Sequence, residues 1–595
     1  MKISITRPIS PEAGYALALA IIFAGVSLII LASTLSWTSS GVRVTGRNNA
    51  YNRAVSAAEA SVESVVARMD RDFLNKSLDK SLLLNDLSAY RQTTAATYLT
   101  NDWPQEYLFT DTNGAPFRTT VIVGAGNYAQ NVDPDLPGLW GTTLPCRIAS
   151  YAKHNGTGVY DVPAGVQQDF QFLDIPIFQF QSFYALDMEI NPSPPMKING
   201  KVHGNADLYL APVQRLEFVD IVETHGQVYL HRMTNDPNFG SAKVNPLFDI
   251  TTDNPKSGVD SLTLPIGTNN SPSEIVKILD PPPPGEDPLS PLGAARYYNL
   301  VDLTIKTWVS NGVETVTVNG GRWDTGMPPI QGDITNTPGN PFSFIDITKQ
   351  FYDGREGKTV KLTEFDVAKF NNFISNTIPG KYVNNLKMLY KNNQQLNSVY
   401  IDDQRPGSSG VLRAIRVVDG VLLPPDGLTV ATPRPLYVEG NFNAPNLTVG
   451  STDTSKTRPA SLVGDAISVL SKNWDDGANI SNNNHGAGDT TVNAAFLAGI
   501  VPTTVGHYSG GLENFPRFLE NWGSGVTLTY NGSMVVMFPS RYATGYWGSS
   551  SYYTPPNRAW AFDLNFLQLN KLPPCTPGVR KLKRGQWTTI AAAVP

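Results

Sequence analysis

The chain has 595 residues, 41% hydrophobic and only 16% charged, with 50 glycines and 45 prolines. That length allows about four units of ordinary domain size, and the turn-forming content points to short strands rather than a helical bundle. A net charge of −5 from 46 basic and 51 acidic residues excludes a basic field for nucleic acid, and two cysteines and six histidines exclude a disulfide-dense scaffold and a cysteine-rich zinc site.

No charged residue occurs between Ala13 and Val42. The centre of this stretch, Tyr15 to Leu35, is 21 residues long. As a helix it covers about 30 Å, the thickness of a bilayer core. Lys2 and Arg7 precede it and place the N-terminus in the cytoplasm by the positive-inside rule, while Arg43, Arg47 and Arg53 follow it and weaken that assignment. The stretch ends in STLSWTSSGVRV, where no small-x-small cleavage site stands out, so a retained span is expected. From Arg43 to Phe73 there is no proline and one glycine, Gly46. Apolar residues recur at Tyr51, Val55, Ala58, Val62, Val65, Met69 and Phe73, in steps of three and four. That spacing predicts one continuous helix over about 15–73, apolar all round in its first half and two-faced in its second. These residues alone fit a single-pass anchor with a stalk, or a helix that leaves the bilayer to pack in a filament.

The order of features here is a short polar leader, Gly14, then Tyr15-Ala-Leu-Ala-Leu-Ala-Ile-Ile, then a polar helix carrying Ala57-Ala58-Glu59-Ala60. It resembles the N-terminus of PilX-type minor pilins of type IV pili, over about 60 residues. The resemblance implies cleavage by prepilin peptidase between Gly14 and Tyr15, with Tyr15 as the methylated mature end. It implies a helix packed through Leu19, Ile22, Val26, Ile29 and Leu35, first in the inner membrane and then against other pilin-like subunits under the pilus assembly machinery. Major pilins carry a glutamate at the fifth mature position, where this chain has Leu19. Lacking that carboxylate, the subunit is expected at the end of a stack, at or near the filament tip. The head is then expected in the periplasm or outside the cell.

Residues 76–182 alternate turns with strand-like pieces (TTVIVGAG, RIASYA, VYDVPAG) and are expected to begin a β-rich head. Gly124-Ala-Gly126 imitates a dinucleotide fingerprint, but QNVDPDLPG follows where a helix is required, so a hairpin turn is expected. Over 183–245, short strands separated by Gly, Asn and Asp turns predict β-helix-like rungs. His203, His225 and His231 fall here at irregular spacing and are expected to serve packing or surface, not metal.

Residues 246–432 are expected as an insertion, with the loop Pro281 to Pro284 and an α/β segment in which Thr363-Glu-Phe-Asp366 precedes a short capped helix. Residues 433–595 return to β rhythm, aromatic-dense from Tyr508 to Trp560. The fold class expected is therefore α+β: leader 1–14, helix 15–75, and a large mainly-β head.

No catalytic motif is present, and no cofactor is expected. The loop Asp475 to Asp489 has oxygen ligands for calcium without EF-hand spacing. Cys146 and Cys575 are a candidate disulfide or two independent thiols. The reading is a structural, non-enzymatic filament subunit. Its alternatives are a tip adhesin or membrane-anchored surface-binding protein, using the C-terminal aromatic region, and a membrane-stalked β-helix hydrolase.

Overall fold

A computed structural model describes residues 12–74, 90–91, 107–116, 118–155, 162–248, 255–320, 342–375, 396–446, 448–477, 485–523, 525–548 and 552–591. Helix α1 runs unbroken from Glu12 to Leu74, 63 residues or about 95 Å. Its final third packs: Ala54, Ala57, Ala58, Val62, Val65, Val66, Met69 and Phe73 are buried. The expected stripe is thus present from Ala58 onward, but it starts at Ala54 rather than at Tyr51, which is 37% exposed.

The surface that receives α1 is an antiparallel sheet. Strands β1 (Tyr107–Thr110), β2 (Thr120–Val123) and β3 (Asn127–Gln130) lie end to end along one edge of β4 (Trp140–His154). The other edge of β4 pairs with β5 (Ala164–Pro176). Alternation along each strand sends Leu144, Cys146, Ile148, Val166, Phe170 and Phe172 to the helix side. The sheet is completed by the C-terminal strand Gly578–Ile590, antiparallel to β5 from Gly578 opposite Pro176 to Ile590 opposite Gly165. Everything from 177 to 577 is therefore threaded between two neighbouring strands of one sheet.

That threaded part is a coil of parallel strands. Ser182, Val202 and Val222 stand in register, as do Met188, Leu208 and Val228, a repeat of twenty residues. The turns repeat too: Asp187 Oδ1 accepts from Asp207 N (3.1 Å) and Asp207 Oδ1 from Gln227 N (2.8 Å). Each carboxylate thus satisfies a backbone N–H of the next turn, which fixes the period.

The long ladder does not follow chain order. Strand Met534–Pro539 pairs with Ser182–Tyr184 on one side and with Ala495–Ile500 on the other. Beyond the latter come Ala460–Gly464, Leu428–Ala431, Ser398–Asp403 and Leu303–Ser310. The chain joins the stack midway, travels to one end at Lys256–Ser257, crosses back, and returns from the far end. The segment expected as an insertion, 246–432, therefore contributes five of the described strands to the same ladder, with Val313–Gly320 paired beyond Leu303–Ser310 at its far end. Residues 258–302 lie across the ladder's outer face instead, and Pro281 to Pro284 are a loop within them.

Two cores result. Inside the coil, Ile190, Leu210, Val360, Leu462, Phe496 and Tyr530 belong to one large apolar cluster. On the outer face, Phe183, Tyr400, Val463, Leu497 and Val535 pack under Leu262, Leu264, Ile275, Ile278 and Tyr297 of the crossing segment. Tyr400 donates to Leu279 O at 2.6 Å and pins that cover. The capped helix expected after Asp366 is Val367–Ser375, with Asp366 Oδ1 accepting from Lys369 N at 2.9 Å.

Candidate functional site: the protruding helix

From Tyr15 to Arg53, no residue of α1 is buried. Leu19 is 48% exposed, Ile22 62%, Val26 47%, Ile29 68% and Leu35 61%. A soluble protein does not leave so continuous an apolar surface in water, and this helix is long and apolar enough to cross a membrane. Gly14 and Tyr15 lie within the first turn of α1, which begins at Glu12; residues 1–11 of the expected leader lie outside the described residues. No aspartate or glutamate occurs between Ala13 and Ala58.

The grip on the packed end of α1 comes from the C-terminal strand. Its alternate residues face opposite ways. On the helix side, Arg584 Nη2 meets Glu63 at 2.9 Å, and Arg580 Nη1 donates to Phe73 O at 2.7 Å. Arg580 also pairs with Asp174 (3.0 Å) and lies 4.6 Å from the centre of the Phe73 ring. On the far side, Lys581 and Lys583 reach Asp133 at 2.8 and 3.0 Å. Burial pushes the Asp133 carboxyl up, but these two ammonium groups outweigh it and hold it below the usual carboxylate range.

The head holds a buried polar centre that motif reading missed. Glu189 is 3% exposed and accepts from the hydroxyls of Thr503 and Ser509, the latter at 2.7 Å. Burial pushes its carboxyl up to about 7. Its Oε1 has no hydrogen-bond partner among the described residues, and Glu189 lines a cavity of about 20 Å³ with Asp187, Arg355 and Arg517. That volume admits one water-sized group, so Glu189 fastens the loop carrying Ser509 and leaves no room for a substrate. The signal was present: glutamate stands where the next rungs place Tyr209 and Tyr229.

The histidines are individually engaged. His203 is fully buried, with Nδ1 2.8 Å from Glu223 and Nε2 3.0 Å from Asn205 Oδ1. His225 Nδ1 faces Val259 O and His231 Nδ1 faces Arg232 O. Among the described residues no three His, Cys, Asp or Glu side chains converge as metal ligands. The middle of the candidate calcium loop, 478–484, lies outside the described residues; at its edges Asp476 pairs with Arg416 (2.9 Å) and Asp489 Oδ1 accepts from Thr527 N.

Cys146 and Cys575 do not form a disulfide. Cys146 sits in the core between α1 and the sheet, where burial pushes its thiol up to about 12, whereas Cys575 packs beside the outer-face core with Sγ 3.5 Å from Leu300 O. Tyr508, Phe515, Phe518, Trp522, Tyr530 and Tyr553 are all buried, so most of the C-terminal aromatic density is core, not contact surface. No protein-family model matches this chain, and neither does any curated protein or solved structure.

Proposed function

We propose that this chain is a pilin-like minor subunit of a type IV pilus or related filament. In this reading it is held in the inner membrane by α1 before assembly and acts in assembly at or near the tip, without catalysing a reaction. The observation that carries the reading is the division of one unbroken helix into a naked apolar length and a length gripped by an antiparallel sheet. An anchor needs only the first. The second ties the head to the helix through a shared core, so that extracting the helix from lipid moves the head with it. Prepilin peptidase would cut at Gly14–Tyr15, and Leu19 to Leu35 would exchange lipid for the helices of other subunits. The apolar burial, about 25 cal/mol per Å², is retained in both surroundings.

The tip position is supported by Leu19 and by the absence of any acid between Ala13 and Ala58. Such a helix has no carboxylate with which to neutralise a buried amine of a neighbour, and an unpaired buried charge is costly. The coil between 177 and 577 is read as a β-helical head, projecting outward. The adhesin alternative loses most of its expected contact surface to the core, and the cavity at Glu189, about 20 Å³, is too small to serve the hydrolase alternative as a substrate site.

The test is photocrosslinking from Ile22 or Val26 in cells. The expected product joins this chain to the apolar helix of another subunit. Products confined to lipid, under conditions where filaments form, would remove the filament role and leave a membrane-anchored protein.

A further inference from the structure

Residues 501–511 leave the ladder strand Ala495–Ile500 and fold as a strap over strand Met188–Ile190. The tip of the strap is a tight hairpin. Thr504 N donates to His507 O and His507 N to Thr504 O, both at 2.9 Å, and Val505 between them is 85% exposed. The strap ends on Gly510 and Gly511, both at positive φ (97° and 68°), where glycine alone adopts the backbone without strain and a segment can pivot.

Three attachments hold the strap down. The hydroxyls of Thr503 and Ser509 both donate to one oxygen of Glu189, Oε2. The Tyr508 hydroxyl donates to Glu513 Oε1 at 3.1 Å and accepts from Asn191 Nδ2 at 3.2 Å. The His507 ring lies flat on Tyr546, with centroids 3.7 Å apart. Of the two acids in these attachments, Glu513 has backbone N–H groups and the charge of Arg558 to favour its ionised form. Glu189 has only the two hydroxyls, and burial acts against its ionisation first, then the charges of Asp236 and Glu513. The other groups around it are Asp187, which precedes its strand, Tyr184 and Tyr508, and across the cavity Arg355 and Arg517, the latter paired with Glu356. Asp236 is itself held by Arg232 at 3.0 Å.

We infer that the strap 501–511 is a proton-operated latch, closed over the rung while Glu189 is neutral and released to swing at Gly510–Gly511 when that proton is lost. Release uncovers the outer column in which Glu189 is followed, rung by rung, by Tyr209 and Tyr229. The sign follows from linkage. Burial holds the closed-state carboxyl at about 7, against 4.5 in water. Opening is therefore rarest below pH 4.5, rises with pH, and levels off above about 7. The latch is local to the head and does not depend on the filament reading.

The experiment is amide hydrogen exchange of the full-length chain in detergent micelles at pH 5 and pH 8, scaled to the intrinsic rate at each pH and read by mass spectrometry. Peptides covering 503–511 are expected to lose protection on the order of fiftyfold between pH 5 and pH 8. The core strand Ala460–Gly464 is expected to keep its protection. Glu189→Gln, which cannot ionise, is expected to leave the strap protected at both pH values. Ser509→Ala, which keeps the acid and removes a tether, is expected to loosen the strap already at pH 5. Equal protection of the strap at both pH values in the unaltered protein overturns the inference. So does the same pH response in Glu189→Gln, which would assign it to Asp236, Glu513 or His507. Loss of protection in 460–464 in step with the strap also overturns it, because the opening is then global unfolding. Should Glu189→Gln fail to fold, Ser509→Ala decides, and a strap fully protected at pH 5 in that variant overturns the latch.

Discussion

Arg580 Nη1 donates to the carbonyl oxygen of Phe73 at 2.7 Å, joining residues 507 positions apart. Phe73 is one residue from the end of α1, where carbonyls have no partner within the helix. The guanidinium fills that vacancy, pairs with Asp174 and stacks on the Phe73 ring. One side chain thus ends the helix, anchors the final strand to the sheet and covers the face of an aromatic ring.

Arg580→Ala is expected to destabilise the head by about 2 kcal/mol, since it strips a partly exposed carboxylate and a helix carbonyl of their partner together. Arg580→Lys should recover less than half of that, because a single ammonium group cannot fork between the two acceptors. Chemical denaturation of the three proteins measures this. A loss below about 0.5 kcal/mol for the alanine variant would make the contact incidental.

Stability should also respond to pH. The Glu189 carboxyl ordinarily titrates at 4.5 but is pushed up to about 7 in the fold by burial, and Glu520 is pushed to about 7 in the same way. Between those values the folded chain holds protons that the unfolded chain has released. Stability is therefore fully present below pH 4.5 and declines as pH rises to 7, by at most about 3 kcal/mol per group. Glu189→Gln should flatten part of this slope. Denaturant midpoints at pH 5 and pH 8 provide the check, and equal differences in both proteins would remove Glu189 from the account.

The final strand and the strand Met534–Pro539 make the C-terminal region inseparable from the rest. Ending the chain before Gly578 removes the edge of the sheet that holds α1, and ending it near residue 500 also removes the ladder strand between Ala495–Ile500 and Ser182–Tyr184. Both truncations are expected to expose 54–73 to limited proteolysis. A protease-resistant head after truncation at 577 would contradict the threaded topology. Surface binding by the head must accordingly be tested by point substitution, not by deletion.

How far the fold could be read in advance depended on the range of each contact. The spacing of Ala58, Val62, Val65, Met69 and Phe73 is local and gave the packed face of α1, and Asp366 before Val367, Phe370 and Ile374 gave a helix start. The short strands around Leu208 and Val228 were legible from their turns. The order of the ladder strands was not, because Val535 stands opposite Phe183 and nothing in either segment names the other. Cys146 and Cys575 were open for the same reason, and only the two separate cores decide them. Glu189 escaped notice because a carboxylate in a strand reads as a surface group until the loop carrying Ser509 closes over it.

Gly41 offers a separate probe of the naked helix. A Cβ there would meet nothing within 4 Å, so Gly41→Ala should raise helix stability by about 1 kcal/mol. Amide exchange across residues 36–53 should slow correspondingly. Unchanged exchange would mean that this length is not helical in solution.

The account's central claim is that the apolar helix begins its working life at Tyr15 and stays joined to the head. Intact mass and N-terminal sequence of the protein extracted from membranes test it most directly. The account predicts a chain starting at methylated Tyr15 with the head still attached. An intact Met1, or a start beyond Ser36 with the helix cut away, would contradict it.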